Sequence, residues 1–100
     1  MDYTLIKSVL KSANLKILDC IRQGKNRWSD FEKVLNKRQI SEALNELIQL
    51  GLIRTKKQRR GLQEYNIYEL TEAGKEVVKI LEELEDKIKK ASSRSYNKYT

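Results

Sequence analysis

The stretch Leu44-Asn-Glu-Leu47-Ile-Gln-Leu-Gly51-Leu52-Ile53-Arg54, answered by Tyr68-Glu-Leu70-Thr71-Glu-Ala-Gly74, decides the fold. From Lys37 to Leu50, the residues Ile40, Ala43, Leu44, Leu47, Ile48 and Leu50 trace one face of a helix, and Arg38, Ser41, Glu42, Asn45 and Gln49 trace the other. Gly51 stands where a helix-terminating glycine belongs. Leu52 and Ile53 open a strand that passes through Thr55 into a polar loop, Lys-Lys-Gln-Arg-Arg-Gly-Leu-Gln at 56–63. A second strand, Tyr65 to Leu70, is rich in aromatic and β-branched residues. The pair predicts a hairpin with a cationic tip around Gly61. Thr71 is a good N-cap for a closing helix.

Working outward, Tyr3 to Lys11 places Ile6, Val9 and Leu10 at roughly helical spacing and predicts a short helix. Ser12 can cap a second helix, in which Leu15, Ile17, Leu18 and Ile21 recur at three- and four-residue steps. Cys20 lies in that helix as a small apolar filler. Residues 24–27 form a turn, after which Ser29 or Asn26 can cap a short helix carrying Trp28, Phe31, Val34 and Leu35. Asp30 and Glu32 suit the dipole of its first turn, and Trp28 is expected to anchor the core.

On the other side, Val77, Leu81, Leu84 and Ile88 follow steps of four, three and four, with Ile80 and Ala91 alongside. This is the seam of a coiled coil about two heptads long. Glu83 with Lys87, Glu85 with Lys89 and Asp86 with Lys90 add i,i+4 pairs of favourable polarity. A small domain cannot cover such a stripe along a helix roughly 30 Å long. A homodimer is therefore expected through Val77, Ile80, Leu81, Leu84 and Ile88. One domain is expected over 1–91, with its closing helix at about 71–91, followed by a disordered basic tail over 92–100.

Composition narrows the function. The 100 residues are 39% hydrophobic and 35% charged, and the expected localisation is cytoplasmic, in association with the nucleoid: no apolar run spans a bilayer, and the N-terminus does not read as a signal peptide. There is no histidine and only one cysteine, so Cys/His zinc sites, Ser-His-Asp catalysis and Cys-His catalysis are excluded within one chain. Neither an enzyme nor a cofactor-binding protein is expected. The net charge of +7 is unevenly spread. Residues 33–60 hold 8 basic and 2 acidic side chains, whereas 61–91 hold 5 basic and 8 acidic. A basic middle beside an acidic closing helix points to a polyanion as partner. Abundant Lys, Glu and Ile without proline fit a thermophile.

The order of four helices, a hairpin and a long helix is that of the winged helix-turn-helix, an α+β fold. The two junctions quoted above resemble the recognition-helix exit and the wing exit of bacterial and archaeal winged-helix regulators (ArsR-like, HxlR-like and MarR-like). Leu10-Lys-Ser-Ala-Asn-Leu15-Lys-Ile17-Leu18 is similar to their opening helices, so the resemblance spans about residues 9–90. The long closing helix also resembles that of small archaeal DNA-binding winged-helix proteins. The cysteine-rich motif of metal-sensing members is absent, and no small-molecule effector is evident.

The resemblance implies a dimeric regulator of double-stranded DNA, acting as a repressor by occlusion. Lys37, Arg38, Gln39, Ser41, Glu42 and Asn45 would enter the major groove. Arg38 suits guanine, Gln39 and Asn45 suit adenine, and Lys37 and Ser41 suit phosphate. Glu42 either accepts from cytosine or, the favoured alternative, pairs with Arg38. Lys56, Lys57, Arg59 and Arg60 form the wing, on the backbone or in the minor groove. The alternatives are an architectural, nucleoid-type protein with little sequence preference and a winged helix that binds protein instead.

Overall fold

The computed structural model describes residues 1–98, with side chains described as far as Ser93. Its elements are α1 (Thr4–Val9), α2 (Ser12–Arg22), α3 (Trp28–Phe31), α4 (Lys37–Gln49), β1 (Ile53–Arg60), β2 (Gln63–Leu70) and α5 (Glu72–Lys98). This is the winged helix-turn-helix order, with an antiparallel two-stranded wing and a long closing helix.

The core forms where the apolar faces of α2 and α4 meet. Ile17, Leu18 and Ile21 pack with Ile40, Ala43, Leu44 and Leu47, and Phe31 and Leu35 fill the space beside them. Leu52 and Ile53 extend the core into the foot of the wing, and α5 adds Val78. The Phe31 ring lies 5.7 Å from that of Tyr68 on β2, tilted by 55°. The Tyr68 N–H donates to the Asn26 carbonyl at 2.9 Å, so the turn before α3 lines the outer edge of β2.

That edge contact explains one departure from expectation. With Asn26 held beside β2 and Arg27 extended, α3 begins at Trp28, and neither Ser29 nor Asn26 caps it. The Arg27 N–H instead donates to Asp30 Oδ2 at 3.1 Å. Ser12 likewise does not cap α2. Lys11 occupies the N-cap, without a side-chain bond, and Ser12 is the first helical residue.

The wing is more regular than expected. The segment 56–60 continues strand β1 instead of forming a loop, in register from Ile53 opposite Leu70 to Arg60 opposite Gln63. Only Gly61 and Leu62 connect the strands. Gly61 has φ +64° and Leu62 a negative φ, the signs of a type II′ hairpin turn with glycine first. A ribbon exposed on both faces needs no apolar alternation, so the polar run Thr55–Arg60 carries no strand signal. The closing helix also runs past residue 91, to Lys98, because neither glycine nor proline follows Gly74 to stop it. Of the tail expected to be disordered, Tyr99 and Thr100 lie outside the described residues. At 27 residues, α5 is roughly 40 Å long. It raises the radius of gyration to 16.3 Å, against about 13 Å for a compact chain of this length.

The end of α4 and the start of α5 are joined directly. The Thr71 hydroxyl donates to the Gly51 carbonyl at 2.6 Å and accepts from the Gly74 N–H at 3.0 Å, so Thr71 both caps α5 and ties it to the turn after α4. The Thr71 N–H donates to the Leu52 carbonyl at 3.0 Å. Gly74 lies so close that a Cβ there would fall 1.9 Å from that same carbonyl oxygen. Backbone blocks the space, and no side chain can swing aside to clear it. Gly74→Ala is expected to cost about 3 kcal/mol, the upper end for overpacking. Thermal unfolding should show a fall in melting temperature of more than about 10 °C. A variant melting with the wild type would show that this approach is not close.

Candidate nucleic-acid interface

The candidate recognition surface starts at the N-terminus of α4. Asn36 Oδ1 accepts from the Gln39 N–H at 2.8 Å, and Gln39 Oε1 accepts from the Asn36 N–H at 3.0 Å. This reciprocal capping box satisfies two donors at the helix start. The first turn contains no acid, so Lys37 and Arg38 add their charge to the positive end of the helix dipole.

Lys37, Arg38, Gln39, Ser41, Glu42 and Asn45 are all exposed, on the side of α4 away from the core. They are not equally available. Arg38 Nε lies 3.0 Å from Glu42 Oε1, the pairing favoured from their spacing. Both side chains are strongly exposed, so the pair is weak and can exchange for an external partner. The carbonyl end of Gln39 is committed to the capping box, which leaves its amide N–H groups as the free donors. Asn45 has no such engagement among the described residues.

In the wing, Lys57 and Arg59 share one face with Thr55, whereas Lys56 and Arg60 share the other with Gln58. The wing is therefore a blade charged on both sides. Lys57 approaches Glu64 at 3.8 Å, while Lys56, Arg59 and Arg60 have no ion-pair partner among the described residues. At the foot, Arg54 is bound to Glu69 at 2.7 Å, and this contact holds the Glu69 carboxyl below its usual range. The wing charge thus divides between a neutralised foot and an open outer half.

Several contacts lie beyond the reach of sequence reasoning. The Arg27 guanidinium sits 4.0 Å from the centre of the Tyr65 ring and braces the side of the wing. Asn14 is almost fully buried. Its amide donates to the Ser8 carbonyl at 2.7 Å and to Glu46 Oε1 at 2.6 Å, while Lys11 Nζ reaches Glu46 Oε2 at 2.9 Å. These bonds tie the α1–α2 corner to α4. They join residues 32 and 35 positions apart, and no local pattern announces them. Cys20 is buried, and burial, reinforced by Asp19, pushes its thiol above the ordinary value. It stays protonated and unreactive.

The apolar stripe of α5 divides in two. Val77 and Leu81 are half-buried against the domain's own core, whereas Ile80, Leu84 and Ile88 are exposed. α1 has no fully buried residue, and its Leu5 and Ile6, with Leu10 at its C-cap, lie exposed beside them. Together the two helices border an open apolar groove of about 410 Å³, floored by Leu50 and Leu52. Only the α5 half is legible from periodicity, because α1 is too short to establish a face.

Comparison with known proteins agrees with this architecture. Residues 11–96 match the model of the HxlR-like helix-turn-helix family, and the chain belongs to that family of DNA-binding transcriptional regulators. The fold is similar to a MarR-family protein from Porphyromonas gingivalis W83 described as a transcriptional regulator. The TM-score is 0.62 at 21% identity, over 85% of this chain and 88% of the other. No curated protein gives a significant sequence match. No helix among the described residues is long and apolar enough to cross a membrane.

The Glu46 contacts make a pH prediction. Bonds from Lys11 and then Asn14 hold the Glu46 carboxyl below its ordinary value. Its stabilisation is therefore complete above the unfolded value of about 4.3 and is lost as pH falls through the lower folded value. Glu46→Gln should melt below the wild type at pH 7, and the gap should close towards pH 3. A gap independent of pH would show that the charge of Glu46 contributes nothing.

Proposed function

We propose that the protein is a homodimeric regulator that binds a palindromic double-stranded site and represses by occluding it. The carrying observation is the pair of outward cationic features on one fold: the acid-free start of α4, and a wing whose outer half leaves Lys56, Arg59 and Arg60 unneutralised. In this reading α4 enters the major groove with Arg38 and Asn45 towards the bases and Lys37 and Ser41 towards phosphate. The wing follows the backbone towards the adjacent minor groove. The dimer is supported by the exposed Ile80, Leu84 and Ile88 beside the uncovered face of α1. Two such heads would meet half-sites about 34 Å apart.

A second reading, architectural binding with little base preference, is favoured by one observation. The capping box holds the carbonyl end of Gln39 and Glu42 competes for Arg38, which leaves Asn45, of these three base-suited side chains, as the one with no such contact among the described residues. Selection of bound fragments from genomic DNA separates the two readings: a palindromic motif supports the regulator, and a featureless spread supports the architectural protein.

Two measurements test the surfaces. Arg59→Ala with Arg60→Ala should flatten the plot of log affinity against log salt by about 1.8, at about 0.9 for each phosphate no longer neutralised. An unchanged slope would remove the wing from the interface. Leu84→Glu should weaken self-association on the order of a hundredfold in sedimentation equilibrium, because it buries an unpaired charge. A variant that associates like the wild type would remove α5 from the dimer contact.

A further inference from the structure

The tip of the wing carries a side chain that the cationic reading leaves unused. Leu62 is 102% exposed and occupies one of the two positions in the turn, next to Gly61. The last half-buried residue on β2 is Tyr65, so the tip stands about 10 Å beyond the body. Arg59 and Arg60 immediately precede the turn and have no ion-pair partner among the described residues. An isolated apolar group is thus held at the end of a thin, positively charged ribbon.

We propose that Leu62 is a minor-groove contact that seats its isobutyl group on the groove floor and selects against the guanine amino group. This rests on the DNA-binding reading above and adds a residue and a selectivity to it. The minor groove is about 6 Å wide and 7.5 Å deep, so a single side chain on a two-residue turn can enter it where a bulkier loop cannot. Phosphates line both rims, where Arg59 and Arg60 follow the tip inwards. Base pairs of the A·T type present only acceptors on the floor, whereas G·C adds the projecting N2 amino donor. Leucine offers neither donor nor acceptor and covers the floor acceptors of either pair alike. The selection therefore comes from the amino group, which projects from the floor and would hold the side chain off it or be covered as one more unpartnered group. Apolar side chains at minor-groove steps are an established means of binding DNA. The resulting contribution comes from apolar burial and does not vary with salt.

Alternating I·C and G·C duplexes isolate the effect, because they differ only by the minor-groove amino group. The wild-type chain should bind the I·C duplex more tightly. Leu62→Ala should bind that duplex about tenfold more weakly, with an unchanged salt slope, and should lose the preference over G·C. Leu62→Met should retain the preference. Arg60→Ala should also retain it while lowering the slope by about 0.9. Leu62→Ala binding I·C like the wild type, losing affinity equally on both duplexes, or changing the salt slope would each overturn the role of Leu62 and leave DNA binding intact. A wild-type chain that binds neither duplex, even at low salt, would overturn the DNA-binding reading as well.

Discussion

The molecule is organised around the approach of Gly74 to the Leu52 backbone. Leu52 follows α4 and Gly74 lies in the first turn of the closing helix, and Thr71 bonds to the backbone of both segments. The wing leaves the body between these two points, so its base is pinched at Ile53 and Leu70, which face each other across the strands. Beyond that joint the hairpin is held along β2, where Tyr68 rests on Phe31 and donates to the Asn26 carbonyl, and Arg27 lies over Tyr65. The angle of the wing relative to α4 follows from that joint, as does the direction in which α5 departs. The proposed DNA-binding surface comprises both α4 and the wing, so their relative placement is the quantity that the joint controls.

Charge is divided between holding the fold and facing outwards. Glu46 and Glu69 accept from Lys11, Asn14 and Arg54, and those contacts stabilise the corner and the foot of the wing. Glu42 is different: its contact with Arg38 lies at the surface, where ion pairs are worth little and exchange readily. Acids therefore temper the cations near the body, and the outer wing is left positive. The acidic stretch of α5 lies on a helix that extends away from the core. The surface of the chain is consequently polar in both senses, which suits a protein that meets a polyanion with one side and presents apolar residues with another.

Local signals carry well from sequence to structure. Gly51 after α4, Thr71 before α5 and the apolar face from Ile40 to Leu47 each depend on a few adjacent residues, and each stands where those residues place it. The wing strand is hidden because a ribbon exposed on both faces leaves no apolar alternation in Thr55–Arg60. Gln39 has the chemistry of a base reader, yet its spacing from Asn36 equally fits a capping box, and the helix terminus uses it that way. The stripe on α5 is visible from its period, but which part of it the domain covers for itself depends on the packing of Val77, Val78 and Leu81. The bonds of Asn14 are illegible in principle, since burial of an asparagine is decided by residues far along the chain.

Those bonds have a mechanical corollary. α1 has no fully buried side chain of its own, and the Asn14 amide holds the carbonyl of Ser8 within it while also holding Glu46 on α4. α1 and α4 therefore share a single strut, and neither can be displaced without loading the other. Anything that presses on the outer face of α1 loads α4, and anything that presses on α4 loads α1. By linkage, a ligand-driven change that crosses this strut must act with the same free energy in both directions. Two surfaces on different sides of so small a protein are, in that sense, joined through one side chain.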